Sequence, residues 1–258
     1  MRFEGKVALV TGGGRGIGAA IARGLAKEGA TVAVSARTDS QVNDVVDGIV
    51  AAGGRAQAFI ADLSKPEEAR ALVGRVEAAL GPIEFLINNA GVASSAPVAR
   101  IPLEEWNRIF AINVTATFLC TQAALPGMME RKSGRVVNIA SVAARFGARY
   151  IAAYAASKHA VLGFTRCVAA EAAESGVTAN AVCPAFVDTE MVAESVERIV
   201  AKTGMPHDQA FETFQNHSPQ KRLLTPAEVA HAVVVLCAHE SRGINGQAIV
   251  IDGGGLLS

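Results

Sequence analysis

Short apolar runs bounded by turn residues recur along the chain and alternate with stretches whose apolar residues follow a helical period. Val7-Ala8-Leu9-Val10-Thr11 is the first such run. An unbroken apolar segment of this length suits a parallel strand covered on both faces. Residues 31–35, 55–61, 84–87, 135–140, 178–183 and 248–251 repeat the signal. Helices are predicted over 19–28, about 102–131 and about 150–175. Two more have marked starts: Ser64-Lys65-Pro66-Glu67 and Thr225-Pro226-Ala227-Glu228 each combine capping-box spacing with a first-turn proline. Strands alternating with helices predict one α/β domain over residues 1–258, a doubly wound parallel sheet of about seven strands with helices on both faces. Ligands of such sheets lie beyond the carboxyl ends of the strands. The glycine run 12–18, Asp62, Asn88, Ser141 and Pro184 all fall at such ends, which predicts one composite site.

Composition narrows the partners. Lys plus Arg and Asp plus Glu both number 24, so no global field favours nucleic acid or an anionic membrane. Half of the residues are hydrophobic, yet the apolar runs fall far short of the roughly 20 residues of a bilayer span. The first residues carry charges and enter a strand with no apolar leader segment, so no secretory signal is expected. Cys120, Cys167, Cys183 and Cys237 are far apart and lack C-x-x-C spacing. That pattern predicts four buried structural thiols in a cytoplasmic protein and no metal site.

The first strand leads into Gly12-Gly13-Gly14-Arg15-Gly16-Ile17-Gly18 and then a helix. Glycines let the backbone turn sharply and approach a phosphate, and the helix N-terminus offers unpaired N–H groups to the anion. The second strand ends in Ala36-Arg37-Thr38-Asp39. Arg37 favours a 2′-phosphate on the adenosine ribose, and hence NADP rather than NAD. Asp39 is the competing carboxylate, or else opens the next helix.

Tyr154-Ala155-Ala156-Ser157-Lys158 follows the strand that ends at Ser141. On a helix, residues four apart share a face, so the Tyr154 hydroxyl and the Lys158 ammonium can act at one point. A neighbouring cation favours phenolate and would draw the phenol toward neutral pH, as a general acid or base requires. The other reading is a solvated pair on a helix face. Asn113 lies within a predicted helix, where asparagine is poor; it is either a tolerated surface position or a deliberate distortion.

Taken together, Thr11-Gly12-x-x-x-Gly16-x-Gly18, Asp62, Asn88-Asn89-Ala90-Gly91, Asn113, Ser141, Tyr154-x-x-x-Lys158 and Asp252-Gly253-Gly254 resemble the classical short-chain dehydrogenase/reductases over nearly the whole chain. The resemblance implies a Rossmann-like fold and hydride transfer between a nicotinamide dinucleotide and a ketone or secondary alcohol. It implies that Tyr154 exchanges a proton with the substrate oxygen, Lys158 lowers its pKa and binds the nicotinamide ribose, and Ser141 hydrogen-bonds the reacting oxygen. Asn113 would then distort its helix to hold a water in a proton relay. Gly12, Arg15, Gly16, Ile17 and Gly18 would line the pyrophosphate, with Asp62 and Leu63 at the adenine. Asn88, Ala90 and Gly91 would lie beside the adenosine half, and Pro184, Val187 and Thr189 at the nicotinamide. The family usually has Pro-Gly where this chain has Pro184-Ala185, which puts the contact geometry there in doubt.

The resemblance also implies a homotetramer, with contacts expected on the apolar helix 160–173 and the final strand. A non-catalytic redox sensor on the same fold is the alternative function; the intact Asn113, Ser141, Tyr154 and Lys158 set argues against it. The substrate could be a 3-oxoacyl or 3-hydroxyacyl compound, because the segment 189–225 is more like that of polyketide ketoreductases and 3-hydroxybutyrate dehydrogenases than the shorter one of 3-oxoacyl-carrier-protein reductases. Val192, Val196, Ile199 and Val200, and then Ala210, Phe211 and Phe214, mark two amphipathic helices. They predict a helical lid over about 190–220, or else ordinary scaffold packed onto the body.

Overall fold

The computed structural model describes residues 1–256. Seven parallel strands are built in chain order: β1 (Val7–Thr11), β2 (Thr31–Ala36), β3 (Arg55–Ile60), β4 (Ile83–Asn88), β5 (Gly134–Ile139), β6 (Val177–Pro184) and β7 (Ala248–Ile251). Their spatial order is β3-β2-β1-β4-β5-β6-β7. The order therefore reverses between β1 and β4, which are paired directly through Leu9 and Leu86. That switch point is where an open α/β sheet offers its crevice.

Successive strand residues point to opposite faces, and each face has its own core. Ala8, Val10, Val32 and Val34 pack under α1 (Gly16–Lys27), α2 (Asp39–Ala51) and α9 (Pro226–Cys237). Leu9, Ala33, Leu86 and Val136 pack under α3 (Pro66–Leu80), α5 (Ala116–Glu130) and α6 (Ala152–Ala172). Both faces being covered explains why the central strands read as unbroken apolar runs. The remaining helices are α4 (Leu103–Phe110), α7 (Glu190–Thr203) and α8 (His207–Asn216).

Several expectations change. The helix foreseen over 102–131 is α4 and α5 joined by a π-helical turn, Ala111–Thr115, with Asn113 inside it and 1% exposed. Asparagine there is thus the distortion and not a surface position. Read continuously, Leu103–Glu130 is long and apolar enough for a membrane span by length and composition, and half of its most apolar window is buried within the structure. Single runs of residues had hidden this, because polar side chains interrupt them. Of the two capping boxes only that of Thr225 and Glu228 forms. The Ser64 hydroxyl instead donates to Asp62 Oδ1 at 2.8 Å, and Glu68 accepts from the Asp62 amide at 2.7 Å. Asp39 does open α2, as its first residue, with Thr38 at the cap position. Cys167 is exposed on α6, whereas Cys120, Cys183 and Cys237 are buried as expected.

Polar side chains fasten the carboxyl ends of the central strands from within. Asn88 Nδ2 donates to Asn138 Oδ1 at 2.8 Å and to Thr121 Oγ1 at 3.0 Å, and Asn138 Nδ2 donates to Thr165 Oγ1 at 2.8 Å. This chain links β4, β5, α5 and α6 through a sheet where unpaired polar groups would be costly.

Candidate active site

The turn after β1 is shaped by two glycines. Gly12 has φ +62°, and a Cβ there would sit 2.8 Å from the Ala90 Cα. A Cβ on Gly18 would collide with the Gly12 carbonyl oxygen. The backbone therefore packs closer than any side chain allows, leaving a cradle against the start of α1. Arg15 precedes α1 in extended conformation and its side chain caps nothing, so the amides of Gly16, Ile17 and Gly18 keep their free donors facing out of the helix. Thr11 and Asn89 hold this turn. Thr11 Oγ1 accepts from the amides of Asn89 and Ala90 at 3.0 and 3.1 Å, and Asn89 Nδ2 donates to the carbonyls of Thr11 and Gly12 at 2.9 and 3.0 Å. Neither residue was given a role from sequence. Their bonds cross about 78 positions and leave no local pattern.

At the end of β2, Arg37 is exposed and its guanidinium makes no hydrogen bond or ion pair among the described residues. Beside it, just past the end of the neighbouring strand β3, lies Asp62. Burial pushes its pKa up, but two hydrogen bonds from Ser64 and the charges of Arg37 and Lys65 outweigh this and hold the carboxyl below its ordinary value. Both Ser64 bonds fall on Oδ1, which leaves Oδ2 as an acceptor. Leu63 is buried beside it. Asn88 does not present its side chain here. It is 4% exposed and its amide nitrogen is committed to Asn138 and Thr121, so only its backbone can reach a ligand.

The sequence-predicted chemical residues meet beyond β5 and β6. Ser141 follows β5 directly, and its Oγ accepts from the Ala143 amide at 3.1 Å. The Tyr154 hydroxyl hydrogen-bonds Ser141. One helical turn further on, Lys158 lies with Nζ 5.7 Å from the Tyr154 ring centroid and donates to the Ile139 carbonyl at 2.8 Å. Asn113 joins from the π turn. Its Oδ1 accepts from the Val92 amide at 2.8 Å, and its Nδ2 donates to the Val92 carbonyl and to Ser157 Oγ at 3.0 and 2.9 Å. Ser157 in turn donates to the Tyr154 carbonyl at 2.7 Å. Gly91 is the spacer, for a Cβ there would lie 3.4 Å from both Asn113 Oδ1 and Lys158 Nζ. Ser157, which was not singled out from sequence, is thus the link between Asn113 and the Tyr154 helix.

Burial is the dominant influence on Tyr154 and raises its pKa above the ordinary phenol value, although the Ser141 hydrogen bond pulls the other way. The Lys158 cation alone does not bring the phenol toward neutrality in this structure. Burial also draws the Lys158 pKa down to about 8, with a small opposing effect of Cys183. Cys183 is itself buried among these groups, and burial pushes its thiol up.

The segment after β6 closes the site. Ala185, where glycine was expected, has an ordinary negative φ, and its methyl packs toward the core beneath α9. Val187 is buried and bridges to Leu224, and Thr189 Oγ1 donates to the Val187 carbonyl at 3.2 Å. A Cβ on Gly16 would stand 3.2 Å from Thr189 Cγ2, so the start of α7 lies against the glycine turn. Among the described residues no group of three or more His, Cys, Asp or Glu could hold a metal ion.

A Ser-Tyr-Lys constellation, with Ser141 and Lys158 buried and Tyr154 half-buried, beside a tight backbone cradle at the switch point of a seven-stranded parallel sheet, defines a dinucleotide-dependent class of fold and site. A family model for short chain dehydrogenases matches residues 6–199. D-beta-hydroxybutyrate dehydrogenase of Cupriavidus necator is 37% identical over 253 residues, covering 98% of each chain. A 3-oxoacyl-[acyl-carrier-protein] reductase of Vibrio cholerae is 36% identical over 254 residues, again 98% of each. A variant of actinorhodin polyketide ketoreductase solved with NADPH superposes with a TM-score of 0.93, at 37% identity over 97% of each chain. The chain belongs to the short-chain dehydrogenase family.

Lys158 generates a stability prediction. Its ordinary pKa of 10.5 applies in the unfolded chain and about 8 in the folded one, so between these values the unfolded state binds the extra proton. Its contribution is full above pH 10.5 and is lost as pH falls to 8. Keeping the ammonium charged at pH 7 costs on the order of 3 kcal/mol at most. Lys158→Met should therefore melt no lower than the native protein at pH 7, and the native protein should gain on it as pH rises from 8 toward 10. Thermal unfolding of both across this range checks it; a variant several degrees less stable at pH 7 would mean that the lysine is there for structure.

Proposed function

We propose that the protein transfers a hydride between NADP(H) and a ketone or secondary alcohol, with Tyr154 as the general acid or base. The observation that carries this reading is the meeting of Ser141, Tyr154 and Lys158 at one strand edge, with Asn113 tied to the same helix through Ser157. The dinucleotide supplies or accepts the hydride when bound. The cradle of Gly12 and Gly18 and the free amides at Gly16, Ile17 and Gly18 suit its pyrophosphate, with Arg15 at its edge. Asp62 Oδ2 and Leu63 suit the adenine, and the backbones of Asn88, Ala90 and Gly91 the adenosine side. Pro184, Val187 and Thr189 suit the carboxamide side. Ser141 Oγ orients the substrate oxygen, and Tyr154 Oη gives it a proton in reduction or takes one in oxidation. Burial keeps the Tyr154 proton in place, which suits the acid. Lys158 supplies a positive charge below pH 8 and a donor for the ribose. The Asn113 amide fixes the loop at Val92 against the Tyr154 helix, so that the proton donor does not drift.

NADP rather than NAD fits the free guanidinium of Arg37, which can meet a 2′-phosphate with charge-assisted hydrogen bonds while Asp39 is drawn into the first turn of α2. The relative solved with NADPH supports the same choice. Relatives named for 3-hydroxybutyrate and for 3-oxoacyl groups favour a substrate bearing an oxygen at its third carbon. The four free thiols suit a reducing, cytoplasmic setting.

A turnover assay tests the reading: purified protein, NADPH or NADH, and a panel of 3-oxoacyl thioesters, simple ketones and cyclic alcohols, followed by cofactor absorbance. Turnover with a higher kcat/KM for NADPH is expected. Tyr154→Phe should lose activity nearly completely yet bind cofactor, and Arg37→Gln should lose roughly tenfold in kcat/KM with NADPH and little with NADH. Cofactor binding without turnover of any substrate would leave a sensor; a Phe variant with a tenth of native activity would remove Tyr154 from the chemistry.

Helices α7 and α8 form a lid in this reading. They bury Val192, Val196 and Ala210 in a small cluster of their own, apart from the two cores of the sheet, as a unit able to open locally would. Phe214 of α8 stands edge-on to Phe186 at 4.9 Å, beside the segment that follows Pro184. Glu194 of α7 reaches Arg15 at 3.7 Å, a half-exposed pair worth little energy that nevertheless lies across the cradle. Amide exchange over 190–220 should be fast in the free enzyme and slow with cofactor and substrate; equal protection in both states would make the segment scaffold.

A homotetramer is supported by exposed apolar side chains on two sides. Phe118 of α5 is 41% exposed and edge-on to Phe164 of α6, while Val235 of α9 is 37% exposed beside the half-buried edge strand β7. Sedimentation at micromolar protein should give a species about four times the 26.6 kDa chain. A monomer would refute the assembly without touching the chemistry.

A further inference from the structure

A cavity lies far from the chemistry just described, at the opposite edge of the sheet. It has a volume of about 360 Å³ and opens where β5 and β6 begin, between the turns that end α5, α6 and α9. That volume is at the small end of ligand pockets. Its lining includes Lys132, Arg135, His239 and Arg242 and no carboxylate. Among the described residues, Lys132, His239 and Arg242 make no side-chain hydrogen bond or ion pair.

Cations beside helix C-termini commonly balance the dipole of the helix, and Lys132 can be read that way. Arg135 cannot. It comes from a strand, is 7% exposed, and spends Nη1 on the carbonyls of Gly134 and Gly176 at 2.8 and 3.3 Å. Its Nε is sealed from solvent with no partner, and its Nη2, which makes no hydrogen bond within the protein, is not sealed and can face a ligand. An arginine held this deep with unused donors is expensive unless something meets it. Glu84, next to Phe85, the residue that pairs with Arg135 across β4 and β5, does not. It accepts from Ser133 and pairs with Lys6 at 3.3 Å, and no contact within ion-pair distance joins it to Arg135. Thr178, 4% exposed and lining the same cavity, has a hydroxyl with no protein partner. The cavity therefore holds a planar guanidinium, two further fixed cations, an imidazole and a hydroxyl, all donors, with no anion to receive them.

We propose that this cavity is a binding site for a phosphate or diphosphate group, separate from the dinucleotide cradle. Arg135 and Thr178 form its floor, and Lys132 and Arg242 close on the anion from the rim. Arginine meets the oxygens of such a group with paired donors, and lysine adds a point charge. The site draws phosphate-bearing small molecules to the end of β5 and β6 opposite to Ser141 and Pro184.

Because the cradle at Gly12 also attracts phosphates, the test uses protein saturated with NADP⁺. Pyrophosphate, inorganic phosphate and glycerol phosphate are titrated separately by calorimetry, with chloride at matched ionic strength as the control. One saturable site is expected for at least one of the three, with the order among them telling whether a diphosphate, free phosphate or a phosphoester suits it best. The double variant Lys132→Gln/Arg242→Gln changes only exposed side chains and should bind roughly tenfold weaker or worse. Turnover without added phosphate should be unchanged. Arg135→Gln should abolish binding; if it fails to fold, the rim variant decides alone. Binding that vanishes when NADP⁺ is present, survives the rim variant, or is matched by chloride would overturn the proposal. If NADP⁺ itself does not bind, the reading of the cofactor fails, and the rim variant still decides this one on the unliganded protein.

Discussion

A lysine ammonium buried at the end of a parallel sheet has few partners within reach, and the one that Lys158 takes is the Ile139 carbonyl at 2.8 Å. That carbonyl is available because β5 ends there. The bond sets the rotation of α6, and with it the face on which Tyr154 stands, four residues earlier. It also explains why burial dominates the titration of both groups: the site lies below the surface that a free helix would expose. A charge held in such a place opposes folding.

Around it, the polar side chains divide the labour by depth. Asn88, Asn138, Thr121 and Thr165 bond to one another beneath the site, leaving Asn88 Oδ1 buried without a partner. Asn113 and Ser157 form the next layer and join the loop at Val92 to the helix of Tyr154. Thr11 and Asn89 do the same for the two turns at the switch point. Asn88 with Asn138, and Thr11 with Asn89, join neighbouring strand ends, and the others tie helices and the loop at Val92 to them. Such support holds reacting groups to the tolerance that catalysis demands.

What could be read from sequence follows from how local each signal is. Val7–Thr11 announces a buried strand because two cores need apolar residues at every position, and the capping box at Thr225 is complete within four residues. The same spacing at Ser64 misled because Asp62, two residues back, competes for the hydroxyl. Asn113 was ambiguous because its partners, Val92 and Ser157, lie 21 and 44 positions away. The bonds of the Asn88 amide to Thr121 and Asn138 cross 33 and 50 positions and left no local trace. Cys167 was expected inside because cysteine usually is, yet its place on α6 faces out. The basic cavity had no signature at all, because Lys132, Arg135, His239 and Arg242 are brought together only by the sheet.

The two edges of that sheet are electrostatically opposite, and this bears on both sites. At the carboxyl edge the helices begin, so free amides and positive dipole ends gather around the Gly12 turn, and an anion is drawn there without any side chain. At the other edge the helices α5, α6 and α9 end, and their carbonyls make a negative rim that would repel the same anion. Side chains alone must reverse that sign. Lys132 begins to do so despite a left-handed backbone, φ 54°, at a position that glycine would occupy more easily. Arg242 adds a second charge, and Arg135 a third from inside the sheet. Dipole balance would be met by exposed cations at the helix ends; it gives no reason to bury a strand arginine with donors unspent, and a bound anion does.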